Sequence, residues 1–117
     1  MSATVDPKRT VAELRELRSF PADEHGAQRV AFTPLWVATR AWLRKKLEEI
    51  GGLELHTDEA GNFWATMRGE SERAVLIGGH MDSVPNGGWL DGCLNVLAGV
   101  EILRRIQAQY NCRPPVT

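Results

Sequence analysis

Three side chains within one short stretch could do chemistry together. Residues 78–92 read GGHMDSVPNGGWLDG and place His80, Asp82 and Asp91 around a run of turn-forming residues. A neutral imidazole nitrogen is a good ligand for zinc, manganese or cobalt, and carboxylate oxygens complete such sites. His80 and Asp82 are two positions apart, so on an extended backbone they face the same way. Asp82 can then accept a hydrogen bond from one ring nitrogen of His80, which fixes the tautomer and raises the basicity of the other nitrogen. Asp91 stands just before an expected helix. There it could cap the helix and still present an oxygen outward, and its two oxygens could bridge two ions. Pro85, Gly87 and Gly88 let the intervening chain fold tightly and return Asp91 to His80. The residues alone leave two alternatives open: a divalent metal site, or an ordinary histidine beside a helix-capping aspartate. His25 and His56 lack such company and are read as ordinary surface or core histidines.

The elements that must position these groups are legible around them. The run AVLIGG at 74–79 leads straight into His80. A short continuous apolar run suits a buried central strand, and ligands of open α/β sheets gather at the carboxyl ends of strands. After the loop, a helix is expected from about Cys93 to Gln109. It carries Leu94, Val96, Leu97, Val100, Ile102, Leu103 and Ile106, and its first half is apolar nearly all round, so it expects neighbours on more than one side. Upstream, Asp6-Pro7 can start a first helix with Val11, Leu14 and Leu17 on one face. Residues 20–32 read as irregular, with Pro21 and Gly26 as breakers. Thr33-Pro34 starts a second helix whose Trp36, Leu43, Leu47 and Ile50 fall at helical spacing, ended by Gly51-Gly52; Trp36 and Trp42 are read as core packing. Leu53–Thr57 and Phe63–Met67 flank the turn Asp58-Glu59-Ala60-Gly61-Asn62 and form a hairpin. This order of elements is the opening of an α/β domain.

The chain has 117 residues and a formal net charge of -1, from 14 basic and 15 acidic side chains. With no basic stripe, nothing points to nucleic acid. Arg44-Lys45-Lys46 and Glu48-Glu49 share one expected helix and are read as its solvated face. No apolar run approaches the roughly 20 residues of a membrane span. The N-terminus lacks the apolar core of a signal peptide, so a cytoplasmic protein without membrane partners is expected. Cys93 and Cys112 have no CxxC spacing, and neither a disulfide nor a cysteine zinc cluster is expected.

The stretch HMDSVPNGGWLDG resembles the His-x-Asp-(Ser/Thr)-Val-Pro-x-Gly-Gly-x-x-Asp-Gly motif of the M20 metallohydrolases. Within them it is most similar to the N-carbamoyl-L-amino acid hydrolase and allantoate amidohydrolase branch, which the Gly-Gly-x-x-Asp-Gly half distinguishes. The hairpin DEAGNFWATMRG, the helix NVLAGVEILRRI and the approach RVAFTP extend the resemblance over nearly the whole chain. Asn95 stands where glycine is more usual in the branch, and Trp89 is bulky for its loop position.

The resemblance implies an M20-type catalytic domain, helices packed on a mixed sheet, of which residues 1–117 would be the N-terminal portion, incomplete at the C-terminus. It implies His80 as a terminal metal ligand, Asp91 as the bridge between two metals, and Asp82 as the catalytic residue orienting His80. It also implies a strained peptide at Asp91-Gly92, of the kind that can adopt the cis form. Two divalent ions (zinc, manganese or cobalt) would act in the full-length enzyme, and at most one would bind this chain, weakly. The substrate would be a small molecule, an N-carbamoyl-L-amino acid or an allantoate-like ureido compound. The full-length enzyme would be a homodimer through a second, dimerisation and lid domain that this chain lacks. The general base and the remaining ligands would lie past Thr117, with Arg113–Thr117 the start of the next strand. Three readings follow: part of an amidohydrolase, a split-enzyme subunit needing a complementing chain, or a non-catalytic domain.

Overall fold

The computed structural model describes residues 4–19, 22–111 and 113–117. Phe20, Pro21 and Cys112 lie outside them, and with them the proposed breaker and one of the two cysteines. Helix α1 (Pro7–Ser19) starts as its sequence dictates: Asp6 Oδ1 accepts from the backbone N–H groups of Lys8 at 3.0 Å and Arg9 at 3.4 Å. Its buried face is Thr10, Glu13, Leu14 and Leu17, whereas Val11 is exposed. The expected stripe is thus rotated, and the cause is electrostatic. Glu13 is drawn inward by Arg104 of the last helix, with Nη2 to Oε2 at 3.3 Å.

Residues expected to be irregular hold a small antiparallel hairpin, β1 (Ala22–Asp23) and β2 (Gly26–Ala27). Helix α2 (Pro34–Glu48) is capped by Thr33, whose hydroxyl accepts from Trp36 N at 3.4 Å. Leu43, Leu47 and Ile50 enter the core, but both tryptophans are only half-buried. Trp42 packs on the core while its indole N–H donates to Glu16 at 2.9 Å. Trp36 lies instead between Phe32 and the guanidinium of Arg40. The charged face of α2 is solvated, except that Lys46 reaches Glu16 at 3.1 Å.

Strands β3 (Glu54–Thr57) and β4 (Phe63–Thr66) pair antiparallel with Leu55 opposite Ala65 and His56 opposite Trp64. Asp58 makes their turn: its carboxylate accepts from the backbone of Ala60 and Asn62, the Asn62 amide and the Trp64 indole. The Trp64 and Asn62 bonds hold its pKa at about 2. His25 and His56 are exposed, which selects the surface alternative for both.

Helix α3 (Cys93–Tyr110) runs against α1 and ends at Asn111 in the left-handed conformation. Cys93, Leu97 and Val100 join Leu14, Leu17, Leu43, Leu47, Ile50 and Met81 in one core cluster. Between α1 and α3 lies a buried charge network. Glu101 accepts from Arg9 Nε at 2.8 Å and Nη2 at 2.7 Å and from Asp6 N at 2.7 Å, while Arg104 joins it to Glu13. Burial alone would push the Glu101 carboxyl up, but these donors outweigh it and hold the pKa below the ordinary carboxylate range.

The apolar run at 74–79 is not a buried central strand. Val75, Leu76 and Ile77 are 70%, 75% and 50% exposed. A central strand needs hydrogen-bonded neighbours on both edges, and the described residues supply one, over a short length. Segment 113–117 runs parallel to 69–75, with Ser71 bridging Val116, Thr117 N donating to Arg73 O at 2.8 Å and Val75 N to Thr117 O at 2.9 Å. Among the described residues the result is an α/β arrangement of three helices, two antiparallel hairpins and the start of a parallel pairing. No helix among the described residues is long and apolar enough to cross a membrane.

Candidate metal centre

His80 and Asp82 face outward because the residue between them faces in. Met81 is buried in the core cluster, so strand-like alternation turns its two neighbours towards solvent. The imidazole stands between two carboxylates. Its Nδ1 lies 3.2 Å from Asp82 Oδ1 and 3.0 Å from the Asp82 carbonyl oxygen. Its Nε2 lies 3.4 Å from Asp91 Oδ2. His80 and Asp82 are about half exposed, and the Asp91 side chain is 86% exposed. With Ser83, Val84, Gly87 and Gly88 they line an open cavity of about 110 Å³.

The geometry separates the three groups. Asp82 occupies one ring nitrogen, and Asp91 shares the other side of the ring with Nε2. Two ligands each about 2.1 Å from a tetrahedral ion stand about 3.4 Å apart, which is the Nε2 to Oδ2 separation found here. Among the described residues no three His, Cys, Asp or Glu side chains converge as a ready-made metal cage. The pair His80 and Asp91 fits one ion as two ligands, with Asp82 behind the imidazole.

Two expectations about Asp91 are corrected. It does not cap α3: the N-cap is Gly92, no side chain bonds there, and only the Asp91 carbonyl accepts, from Cys93 N at 2.9 Å. The carboxylate is therefore fully available in front of the helix. The Asp91-Gly92 peptide is trans, since the described residues contain no cis bond. The unusual feature is Gly92 itself, at φ 73° and ψ −51°, a conformation that a Cβ would strain.

The loop between the acids is held from outside. Ala27 of β2 and Gly87 exchange backbone hydrogen bonds at 2.8 and 2.9 Å. The amides of Gln28 and Asn86 meet through Gln28 Nε2 to Asn86 Oδ1 at 2.8 Å, and Asn86 N donates to Gln28 Oε1 at 3.0 Å. Trp89 packs on the core with the guanidinium of Arg18 5.2 Å from its ring centre, which accommodates its bulk. Asn95 is exposed, and its Cβ lies beside Gly79.

Sequence reasoning did not single out Arg29. It is fully buried, with Nε donating to Met81 O at 2.9 Å and Nη2 to Cys93 Sγ at 3.2 Å. Its backbone exchanges bonds with Ser83, N to Oγ at 2.9 Å and Ser83 N to Arg29 O at 2.8 Å. The one signal was an arginine set against the apolar residues of RVAFTP. Cys93 is a free, buried thiol, and burial pushes its pKa up despite the nearby guanidinium.

No family model matches the chain. Individual proteins do. It is 36% identical over 97 residues to the allantoate amidohydrolase of Escherichia coli (strain K12), a match covering 80% of this chain and 23% of the relative. It is 38% identical over 94 residues to the N-carbamoyl-L-amino acid amidohydrolase of Geobacillus stearothermophilus, covering 79% and 22%. Among solved structures, the hydantoinase/carbamoylase family amidase of Burkholderia phymatum superposes with a TM-score of 0.79 at 36% identity, over 90% of this chain and 26% of that one. The amidase of the same family from Burkholderia vietnamiensis gives 0.83 at 30% identity, over 92% and 27%. By fold and sequence the chain is similar to part of these amidohydrolases. More narrowly, its relatives are allantoate and N-carbamoyl-L-amino acid amidohydrolases and hydantoinase/carbamoylase family amidases, consistent with the N-terminal portion of that M20 branch. It spans about a quarter of the length of the relatives it matches.

Proposed function

We propose that this chain carries the first metal-ligating segment of a metal-dependent amidohydrolase that cleaves the carbamoyl or ureido carbon–nitrogen bond of N-carbamoyl-L-amino acids or allantoate-like compounds. The observation that supports it is the imidazole of His80 set between two carboxylates, Asp82 at Nδ1 and Asp91 beside Nε2. In this reading His80 and Asp91 are ligands, with Asp91 free to bridge a second ion through its other oxygen. Asp82 holds the His80 tautomer and makes Nε2 a better donor. Bound zinc, manganese or cobalt would supply an acidified water and a charge to steady the developing oxyanion.

Zinc takes about four ligands, so one imidazole and one carboxylate hold a single ion weakly. The 117 residues by themselves are expected to be inactive. A second reading, a subunit completed by another chain, is favoured by the exposed apolar segment Val75–Ile77 beside the site. Titration with Co²⁺ followed by visible absorption tests the ligand assignment: binding to the wild-type chain and none to His80→Ala supports it, and equal spectra overturn it. Hydrolysis of an N-carbamoyl amino acid by the chain alone would contradict the incomplete site. Metal-dependent hydrolysis on mixing with a candidate second chain would favour the split enzyme.

A further inference from the structure

Arg29 reaches both arms of the candidate centre and touches neither ligand. We infer that Arg29 is a positioning residue, a buried clip that sets the separation of His80 and Asp91. The inference rests on the metal-binding reading for its consequence, though the clip itself is a matter of this chain's geometry.

The two arms enter the site from different elements. The first is the extended segment His80–Ser83, and the second is Asp91-Gly92 at the start of α3. Arg29 Nε holds the carbonyl of Met81, midway between His80 and Asp82, at 2.9 Å. Its backbone holds Ser83 from both sides at 2.9 and 2.8 Å. Its Nη2 reaches Cys93 Sγ, two residues past Asp91, at 3.2 Å. One planar guanidinium therefore spans both arms, and its donors lie in a fixed fork. A lysine has a single ammonium and cannot reproduce that fork.

The burial of the group makes the constraint stiff. Arg29 is 0% exposed, and its Nη1 is buried with no hydrogen-bond partner among the described residues. Burying a guanidinium is costly, and its bonds to Met81 O and Cys93 Sγ offset part of that penalty. A purely apolar side chain would fill the space without that penalty, but it would leave the two arms joined only by the long contacts of Cys93 Sγ to His80 O at 3.8 Å and Met81 O at 3.9 Å.

The clip can be read without a metal. A Cβ on Gly92 would lie 2.6 Å from His80 Cε1, so the Gly92 Hα protons lie close to the imidazole Hε1. An NMR Overhauser effect between them reports the spacing of the arms. The variants are Arg29→Met, Arg29→Lys, Cys93→Val and Cys93→Ser, with Leu17→Val as a control in the core under α1. Arg29→Met, Arg29→Lys and Cys93→Val are expected to lose the Overhauser effect and to weaken Co²⁺ binding about tenfold or more. Cys93→Ser keeps an acceptor for Nη2 and should retain both, as should Leu17→Val. Persistence of the Overhauser effect in Arg29→Lys, or its loss in the Leu17→Val control, overturns the clip. If Arg29→Met does not fold, Arg29→Lys and the Cys93 pair decide. If the wild-type chain takes up no Co²⁺ but the Overhauser effect depends on Arg29, the metal reading fails and the clip stands. If Co²⁺ binds and the effect ignores Arg29, the clip fails and the metal reading stands.

Discussion

The backbone of Gly92 lies directly against the imidazole of His80. A Cβ added there would sit 2.5 Å from the His80 carbonyl oxygen and 2.6 Å from Nε2. At φ 73° the position is also one that side chains avoid. Gly92→Ala should therefore push the ring away from Asp91 and cost about 1–3 kcal/mol of stability. Urea unfolding together with Co²⁺ titration checks this; unchanged stability and unchanged binding would count against it.

The three acidic and imidazole groups should respond differently to substitution. His80→Ala and Asp91→Asn remove ligands and are expected to abolish divalent-ion binding. Asp82→Asn removes the negative charge beside Nδ1 but leaves the Asp82 carbonyl oxygen 3.0 Å from it, and should weaken binding by the smaller amount, about 10-fold. The side chains are 42% exposed or more, so each variant should unfold within about 0.5 kcal/mol of wild type. Calorimetric titration with Zn²⁺ and Mn²⁺ separates the two classes of effect.

Glu101 is the hub of the charge network between α1 and α3. Glu101→Ala removes the partner of Arg9, whereas Arg104 keeps Glu13, and should destabilise the chain by about 1–3 kcal/mol. Because its pKa is held below the ordinary 4.5, the folded state binds this proton less readily than the unfolded chain does. Its contribution is thus present above the unfolded pKa and lost as pH falls through the folded one. Urea midpoints measured from pH 6 downward should fall less steeply in Glu101→Gln than in wild type.

Asp58 makes a second acid-sensitive joint. Its pKa is lowered from 3.8 to about 2 by the Trp64 and Asn62 bonds, so the turn should be intact above the higher value and released as pH falls through the lower. The indole N–H resonance of Trp64 should titrate in that window in wild type. In Asp58→Asn the same resonance should stay constant across it.

Much of this architecture is legible from local chemistry. Thr33-Pro34 sets the start of α2, the Asp58–Asn62 turn sets the hairpin, and the period-two alternation around Met81 sets His80 and Asp82 outward. What escapes the sequence depends on partners far along the chain. Val11 looks like a core residue until Arg104 draws Glu13 inward, 91 positions away. The run at 74–79 carries a strand's composition, but composition does not provide the neighbouring strands that bury it. Asp91 looks like a cap because capping is local, yet Gly92 intervenes. Arg29 is invisible for the same reason: its acceptors, Met81 O and Cys93 Sγ, lie 52 and 64 residues downstream.

Those long separations set an order of assembly. The helical turns and the Asp58 hairpin need only near neighbours and can form early. The site loop cannot, because its supports at Ala27, Gln28 and Arg29 join it across more than fifty residues. Contacts of such high sequence separation are slow to close. The appearance of ordered His80 should therefore mark a late stage of folding, as does the closure of α1 on α3 across more than ninety residues, and the signal of a bound ion would serve as a clock for the site's own step.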